Sequence, residues 1–291
     1  MKEKLEKLWR YFITKEKLTY ICRKISEDTG VSFNSVMLYY FLESILKKLA
    51  TSKYKGKFIF KGGFLLSNVV GINTRTTTDI DFLLYNLELS KQNVIQILSE
   101  VFEPQKSDVV FYELRSIEPI KKEDEYGGFR VSVLCKMENI KQIIPLDIAT
   151  GDIITPHPID YKYVSSFDSD EIRIKAYPLE TMLAEKIHTI YNKGFLNSRS
   201  KDYYDLYIIY KLKQKEVNWK ILKDACIRTF KYRKTEFNIR KIIDLLEDLR
   251  DDDSFSERWK SYSIKNTFVK ETTFEEIIDN SIELIKKILN T

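Results

Sequence analysis

Asp79 and Asp81 stand two residues apart in the stretch Thr74-Arg-Thr-Thr-Thr-Asp-Ile-Asp-Phe-Leu-Leu84. Alternate side chains of a strand share a face. A strand over 76–85 therefore places Asp79 and Asp81 beside Arg75 and Thr77, and turns Thr76, Thr78, Ile80 and Phe82 to the other side, where the apolar pair packs. Carboxylates presented together suit Mg²⁺, a hard cation that takes oxygen ligands and carries nucleoside triphosphates. Asp147, in Ile143-Ile-Pro-Leu-Asp-Ile148, is the candidate third ligand, with Leu146 and Ile148 directed into the core.

Upstream, Phe58-Ile-Phe-Lys-Gly-Gly-Phe-Leu-Leu66 has the texture of a short strand, a glycine turn and a helix start. Gly62 and Gly63 let the backbone come close to phosphate, and the N–H groups opening a helix attract anionic oxygens. A glycine pair alone says little. Ahead of a two-aspartate strand it adds the triphosphate cradle that nucleotidyl transfer needs. The chemistry such a pairing serves is in-line attack by a hydroxyl on the α-phosphate of an NTP, with pyrophosphate leaving.

These residues need a scaffold, and the remaining pattern supplies one. The first fifty residues predict helices over 2–13, 16–28 and 34–50, the last with Val36, Tyr40, Phe41, Ile45, Leu46 and Leu49 on one face. Strands are predicted at 57–60, 76–85, 108–118, 128–137 and 143–149, with helices at 64–70 and 91–102, the latter opened by Ser90. Residues 151–170, with two prolines, are expected to form a surface loop. Beyond Pro178 the pattern turns helical over 179–193, 200–213, 218–230, 235–249 and 273–289, capped by Asn218 and Thr273. The expected fold class is α+β, with a mixed-sheet core over 1–175 and a helical domain over 176–291 that closes the substrate cleft.

In the helical half, Lys186 lies four residues from both Met182 and Ile190, so its base is beside apolar positions. A buried ammonium is costly unless paired, and a triphosphate is the natural anion, although snorkelling to water is the plainer alternative. Asp202 and Asp205 share a helix face and could orient Lys186 or a nucleotide group. Arg75 could equally pair with Asp79 or Asp81 or touch phosphate.

Composition narrows the partners only modestly. Among 291 residues, 48 Lys and Arg against 43 Asp and Glu leave +5, compatible with a polyanion but too mild to establish one. Basic clusters mixed with aromatic or apolar residues at Lys53-Tyr54-Lys55, 211–215 and 228–234 are candidate RNA contacts, though most such clusters are solvated faces. No apolar run approaches a membrane span, and the N-terminus MKEKLEKLWR is too charged for a signal peptide, so a cytoplasmic protein without membrane partners is expected. Cys22, Cys135 and Cys226 suggest neither a disulfide framework nor zinc. His157 and His188 are far apart in sequence, which disfavours Ser-His-Asp hydrolysis.

Lys61-Gly-Gly63, Arg75-x-Thr-x-Asp-x-Asp-Phe82, Leu146-Asp-Ile-Ala-Thr-Gly-Asp152, Glu185-Lys186 and Lys201-Asp-Tyr-Tyr-Asp-Leu206 occur in the order seen in the AbiEii/AbiGii-type toxin nucleotidyltransferases, which residues 20–210 resemble. The resemblance implies a DNA polymerase β-like fold with an added helical domain. It also implies a toxin role in a toxin–antitoxin system of abortive phage infection, with a cognate antitoxin. Some such proteins add nucleotides to tRNA 3′ ends, blocking translation. Site roles carried over by the resemblance fall on Lys186 and the Asp202/Asp205 pair. In one departure, Phe64 follows the glycines where many relatives have serine, threonine or another small residue, so phosphate binding would rest on the backbone. A protein or small-molecule hydroxyl as acceptor, or a non-enzymatic binding module, are the rival readings.

Overall fold

The computed structural model describes residues 13–120, 127–269 and 271–291. Most of the helix predicted over 2–13 lies outside them. The chain divides into two compact units. One runs through Phe64 and adds Thr76–Gly151 and Asp160–Lys175; the other comprises Leu65–Arg75, Asp152–Ile159 and Ala176–Thr291.

The first unit begins with helices α1 (Lys15–Thr29) and α2 (Phe33–Thr51). Thr14 caps α1, which stops at left-handed Gly30, φ 73°. Helix α2 is buried nearly all round from Val36 to Leu46, as expected of a helix enclosed by the core. Strand β1 (Phe58–Lys61) leads directly into helix α3 (Gly62–Val70), and β2 (Ile80–Leu84) and α4 (Lys91–Val101, capped by Ser90) follow. Strands β3 (Phe111–Ile120), β4 (Gly128–Met137), β5 (Ile140–Ala149), β6 (Ile159–Val164) and β7 (Glu171–Ala176) complete a seven-stranded sheet of order β3-β4-β5-β2-β1-β7-β6. The sheet is mixed, with β2 parallel to β5 and antiparallel to β1. Its apolar side carries Phe58, Phe60 and Phe82, whose rings meet at 5.7 Å centroid separations.

Two expectations fail here. Strand β2 begins at Ile80, so Arg75 to Asp79 are loop. In register with Ile80 is Leu146, which puts Pro145, without an N–H, at the next rung of β5, while β1 ends at Lys61 opposite Asp81. No ladder is left for 75–79, whose backbone finds partners elsewhere. Thr77 N–H donates to the Tyr39 hydroxyl at 3.1 Å, and Arg75 N–H donates to Gly71 O at 3.2 Å. The expected loop over 151–170 also contains a strand. Residues 159–164 pair with β7, where burial of Ile172, Ile174 and Ala176 alternates with more exposed residues.

The second unit is helical: α5 (Leu179–Lys193), α6 (Ser200–Lys213), α7 (Trp219–Tyr232), α8 (Ile239–Arg250), α9 (Asp253–Lys265) and α10 (Phe274–Leu289). Pro178 stands at the N-cap of α5, with Asn218 and Thr273 as side-chain caps of α7 and α10. Helix α9 has no counterpart in the sequence reading, although Asp252 caps it and Phe255 and Trp259 form its buried i,i+4 pair. Helix α6 is the centre of this unit, buried continuously from Asp202 to Tyr210. Polar groups on so enclosed a helix are costly to leave without partners. Accordingly, Tyr204 donates its hydroxyl to Thr74 O at 2.9 Å and Tyr207 to Glu276 at 2.7 Å. Among the described residues no helix is long and apolar enough to cross a membrane.

Candidate active site

Four adjacent strands bring charged residues into one row. Arg130 of β4 pairs in register with Asp147 of β5, Asp147 with Asp81 of β2, and Asp81 with Lys61 of β1. Register partners present their side chains on the same sheet face, and adjacent strands lie about 4.8 Å apart, so two carboxylates face outward between two cations. The flanking Ile80, Phe82, Leu146 and Ile148 are fully buried on the opposite face. The alternation expected around Asp81 and Asp147 thus holds. Asp79 stands one residue before β2, outside the strand alternation, and accepts a hydrogen bond from Thr77 Oγ1 at 2.6 Å.

The Arg130 guanidinium grips Asp147 with two hydrogen bonds, Nε to Oδ1 at 2.8 Å and a terminal nitrogen to Oδ2 at 2.7 Å. Its pKa is raised above the ordinary arginine value, chiefly by this hydrogen bonding and then by the charges of Asp147, Asp79 and Asp81, against the opposing effect of burial. All three carboxylates therefore act on a single cationic group. Their oxygen donors suit a hard divalent ion such as Mg²⁺. Among the described residues, however, no group of three or more His, Cys, Asp and Glu side chains is arranged to hold a metal. Asp147 is held by Arg130 in this arrangement.

Gly62 packs directly on this row. Its φ of 75° lies in the left-handed region, and a Cβ there would come within 2.5 Å of Asp81 Cγ. The glycine thereby serves the turn from β1 into α3 and leaves room for the Asp81 carboxylate. Gly63 is the second residue of α3, where the N–H groups of the first turn lack intrahelical acceptors. Phe64 is buried against Tyr39 and Phe60, with ring centroids at 5.4 and 5.6 Å. Its side chain is thus a core element.

Within the second unit lies another charged cluster. Lys186 of α5 approaches Asp205 at 2.6 Å and Asp202 at 3.2 Å. Arg75 donates from Nε to Asp205 Oδ1 at 2.7 Å, a partner not considered from sequence. Arg199 reaches Asp202 at 3.3 Å. Burial opposes the Lys186 charge, but Asp205 and Asp202 outweigh it and raise its pKa. Burial likewise opposes the Asp205 charge, yet Arg75 and Lys186 hold its carboxyl below the usual value. Lys186 accordingly does not snorkel alone. Its charge is retained inside the protein by α6.

Several residues escaped the sequence reading. Arg130 joins the row through strand register, as does Lys61, read from sequence only as part of the glycine motif, and Arg199 meets Asp202 in the second unit. Asp152 is buried with Arg233 at 3.0 Å and the Tyr177 hydroxyl at 3.1 Å. The Asp152 motif position was visible, but its basic partner lay inside a cluster read as exposed. Other basic residues are also paired, Lys53 with Glu100 at 2.7 Å and Lys213 with Glu216 at 2.8 Å. The three cysteines are buried free thiols, and burial pushes that of Cys22 up to about 12.

The fold is that of nucleotidyltransferases. A structure of a proposed nucleotidyltransferase from Helicobacter pylori superposes with a TM-score of 0.56 at 15% identity, covering 89% of this chain and 96% of the other. JHP933 from Helicobacter pylori superposes with a TM-score of 0.54 at 14% identity, covering 89% and 94%. Residues 44–280 match the family described as nucleotidyl transferase AbiEii toxin, type IV TA system, and the chain belongs to that family. No curated protein matches the sequence. As a member it is a nucleotidyltransferase toxin of a type IV toxin–antitoxin system.

Proposed function

We propose that the protein transfers a nucleotidyl group from an NTP to the 3′ end of an RNA, the tRNA acceptor stem being the favoured target, and thereby blocks translation during phage infection. The observation that carries the reading is the in-register row of Asp81 and Asp147 with Gly62 packed on it, together with Asp79 one residue ahead of β2. Asp79 and Asp81 would hold Mg²⁺, with Asp147 as the third carboxylate. The ion, when bound, would supply charge neutralisation and activation of the attacking hydroxyl. The α3 N-terminus at Gly62-Gly63 would receive phosphate oxygens through backbone N–H groups. Thr77 would keep Asp79 oriented through their 2.6 Å hydrogen bond. The RNA hydroxyl forms a bond to the α-phosphorus as the bond to the β-phosphate oxygen breaks. Pyrophosphate departs, and the hydroxyl proton passes to a carboxylate of the site.

Lys186 and Arg75 are assigned to neutralising triphosphate charge, with Asp202 and Asp205 as the residues that hold these cations in place. A cognate antitoxin encoded nearby and a cytoplasmic site of action belong to the same proposal. The test incubates the protein with each labelled NTP, Mg²⁺ and total RNA, and repeats the reaction without RNA. Label on tRNA that disappears in Asp79→Ala and Asp81→Ala supports the reading. Label on protein alone would move the acceptor to a protein hydroxyl. Undiminished toxicity of both variants in cells would remove catalysis at this site as the explanation.

A further inference from the structure

Of the groups around the carboxylate row, Arg130 has the least evident reason to be there. Its side chain is 52% exposed, so it is not needed to fill the core, yet it makes a two-pronged contact with a carboxylate that is only 15% exposed. A guanidinium engaging both oxygens of an aspartate takes up part of their lone-pair capacity and sets a positive charge where a metal ion would have to approach. The strand pairing places the two side chains next to each other, since Arg130 and Asp147 are direct partners on β4 and β5. On the other side of the row, Gly62 leaves room for the Asp81 carboxylate.

We propose that Arg130 is an intramolecular competitor for the metal site. It holds Asp147 out of the ligand set until a divalent cation displaces it, and so sets the affinity of the site and acts as a positioning residue for Asp147. This rests on the proposed metal role of Asp79, Asp81 and Asp147. With the arginine side chain half exposed, solvent screens the pair from one side and a divalent cation can compete for the carboxylate. Once displaced, the guanidinium remains tethered beside the row on β4.

The experiment measures Mn²⁺ binding by electron paramagnetic resonance on the full chain, without NTP or RNA, for the parent, Arg130→Gln, Asp147→Asn and the double variant. Arg130→Gln is expected to tighten Mn²⁺ about fivefold, the factor matching an exposed ion pair at the strong end of its range. Removing a positive charge near anions would by itself favour cation binding. The double variant separates the two effects, because the gain due to the clamp must vanish when Asp147 can no longer ligate. Unchanged or weaker binding in Arg130→Gln, or an equal gain in the Asp147→Asn background, would overturn the proposal. Asp81→Asn serves as the control for the underlying site. If it leaves parental Mn²⁺ binding intact, the metal assignment itself fails. If it abolishes binding while Arg130→Gln changes nothing, only the clamp fails. Circular dichroism verifies folding of each variant, and Arg130→Lys provides a second, milder release of the two-pronged contact that should tighten binding by less than Arg130→Gln.

Discussion

Replacing Gly62 by alanine tests whether the glycine is present for the turn or for the carboxylate beneath it. Two costs follow from the structure. The left-handed φ of 75° disfavours any side chain by about 1 to 2 kcal/mol. The added methyl would also collide with Asp81 Oδ2 and lie 2.5 Å from Cγ, where ordinary contact begins at 3.4 Å, so the carboxylate or the turn must retreat by at least about 0.9 Å. Gly30 isolates the first cost, since its φ of 73° is nearly the same and a Cβ there meets nothing within 4 Å. Gly30→Ala should therefore lower stability by about 1 to 2 kcal/mol, a melting shift of about 2 to 8 °C, with transfer activity unchanged. Gly62→Ala should lose at least as much stability and, in addition, about 10²-fold in nucleotidyl-transfer rate, the effect of misplacing a catalytic group by about 1 Å. Initial rates with labelled NTP and thermal melts of both variants provide the comparison. Parental activity in Gly62→Ala, with a stability loss equal to that of Gly30→Ala, would refute the assignment of this glycine to Asp81.

Asp205 is 1% exposed and bears on two cations, so Asp205→Ala should destabilise the protein by about 3 to 5 kcal/mol in urea titrations at neutral pH. Because its folded pKa lies below the model-peptide value of 3.8, its contribution is fully present above that pH and is lost as pH falls below it through the folded pKa; the parent and variant stability curves should converge there. Glu43, 2% exposed and held by Tyr163, Ser165, Ser166 and Lys47, behaves oppositely: burial raises its folded pKa above 4.5. Its favourable contribution is present below that value and fades as pH rises through the folded pKa, so Glu43→Gln should gain stability relative to the parent between acidic and neutral pH in paired urea titrations. Asn218→Ala removes the Oδ1 acceptor of Ile221 N–H and should cost about 1 kcal/mol by chemical denaturation.

The elements that carried the clearest local signals were those the sequence described best. Ser90, Asn218 and Thr273 each cap the helix they were expected to open, because a cap is a contact between a side chain and a backbone only two or three residues away. The core period of Ile80, Asp81 and Phe82 was legible for the same reason. Thr76, Thr77 and Thr78 misled, since β-branched residues favour strands only where a partner strand offers hydrogen bonds. Helix α9 was obscured by its sparse apolar residues, Phe255 and Trp259, with charged and polar residues between them.

Residue types and spacing already placed a carboxylate pair, a glycine turn and a lysine beside apolar positions in the chain, because hydrophobic period and side-chain chemistry are local properties. Tertiary structure decided which of them meet. Pro145 opposite the next rung ended β2 before Asp79, and strand register set Arg130 on Asp147. Within the second unit, packing against α6 brought Arg75 to Asp205. Such pairings depend on hydrogen-bond ladders and packing between segments up to 130 residues apart, on which the spacing of neighbouring residues carries no information.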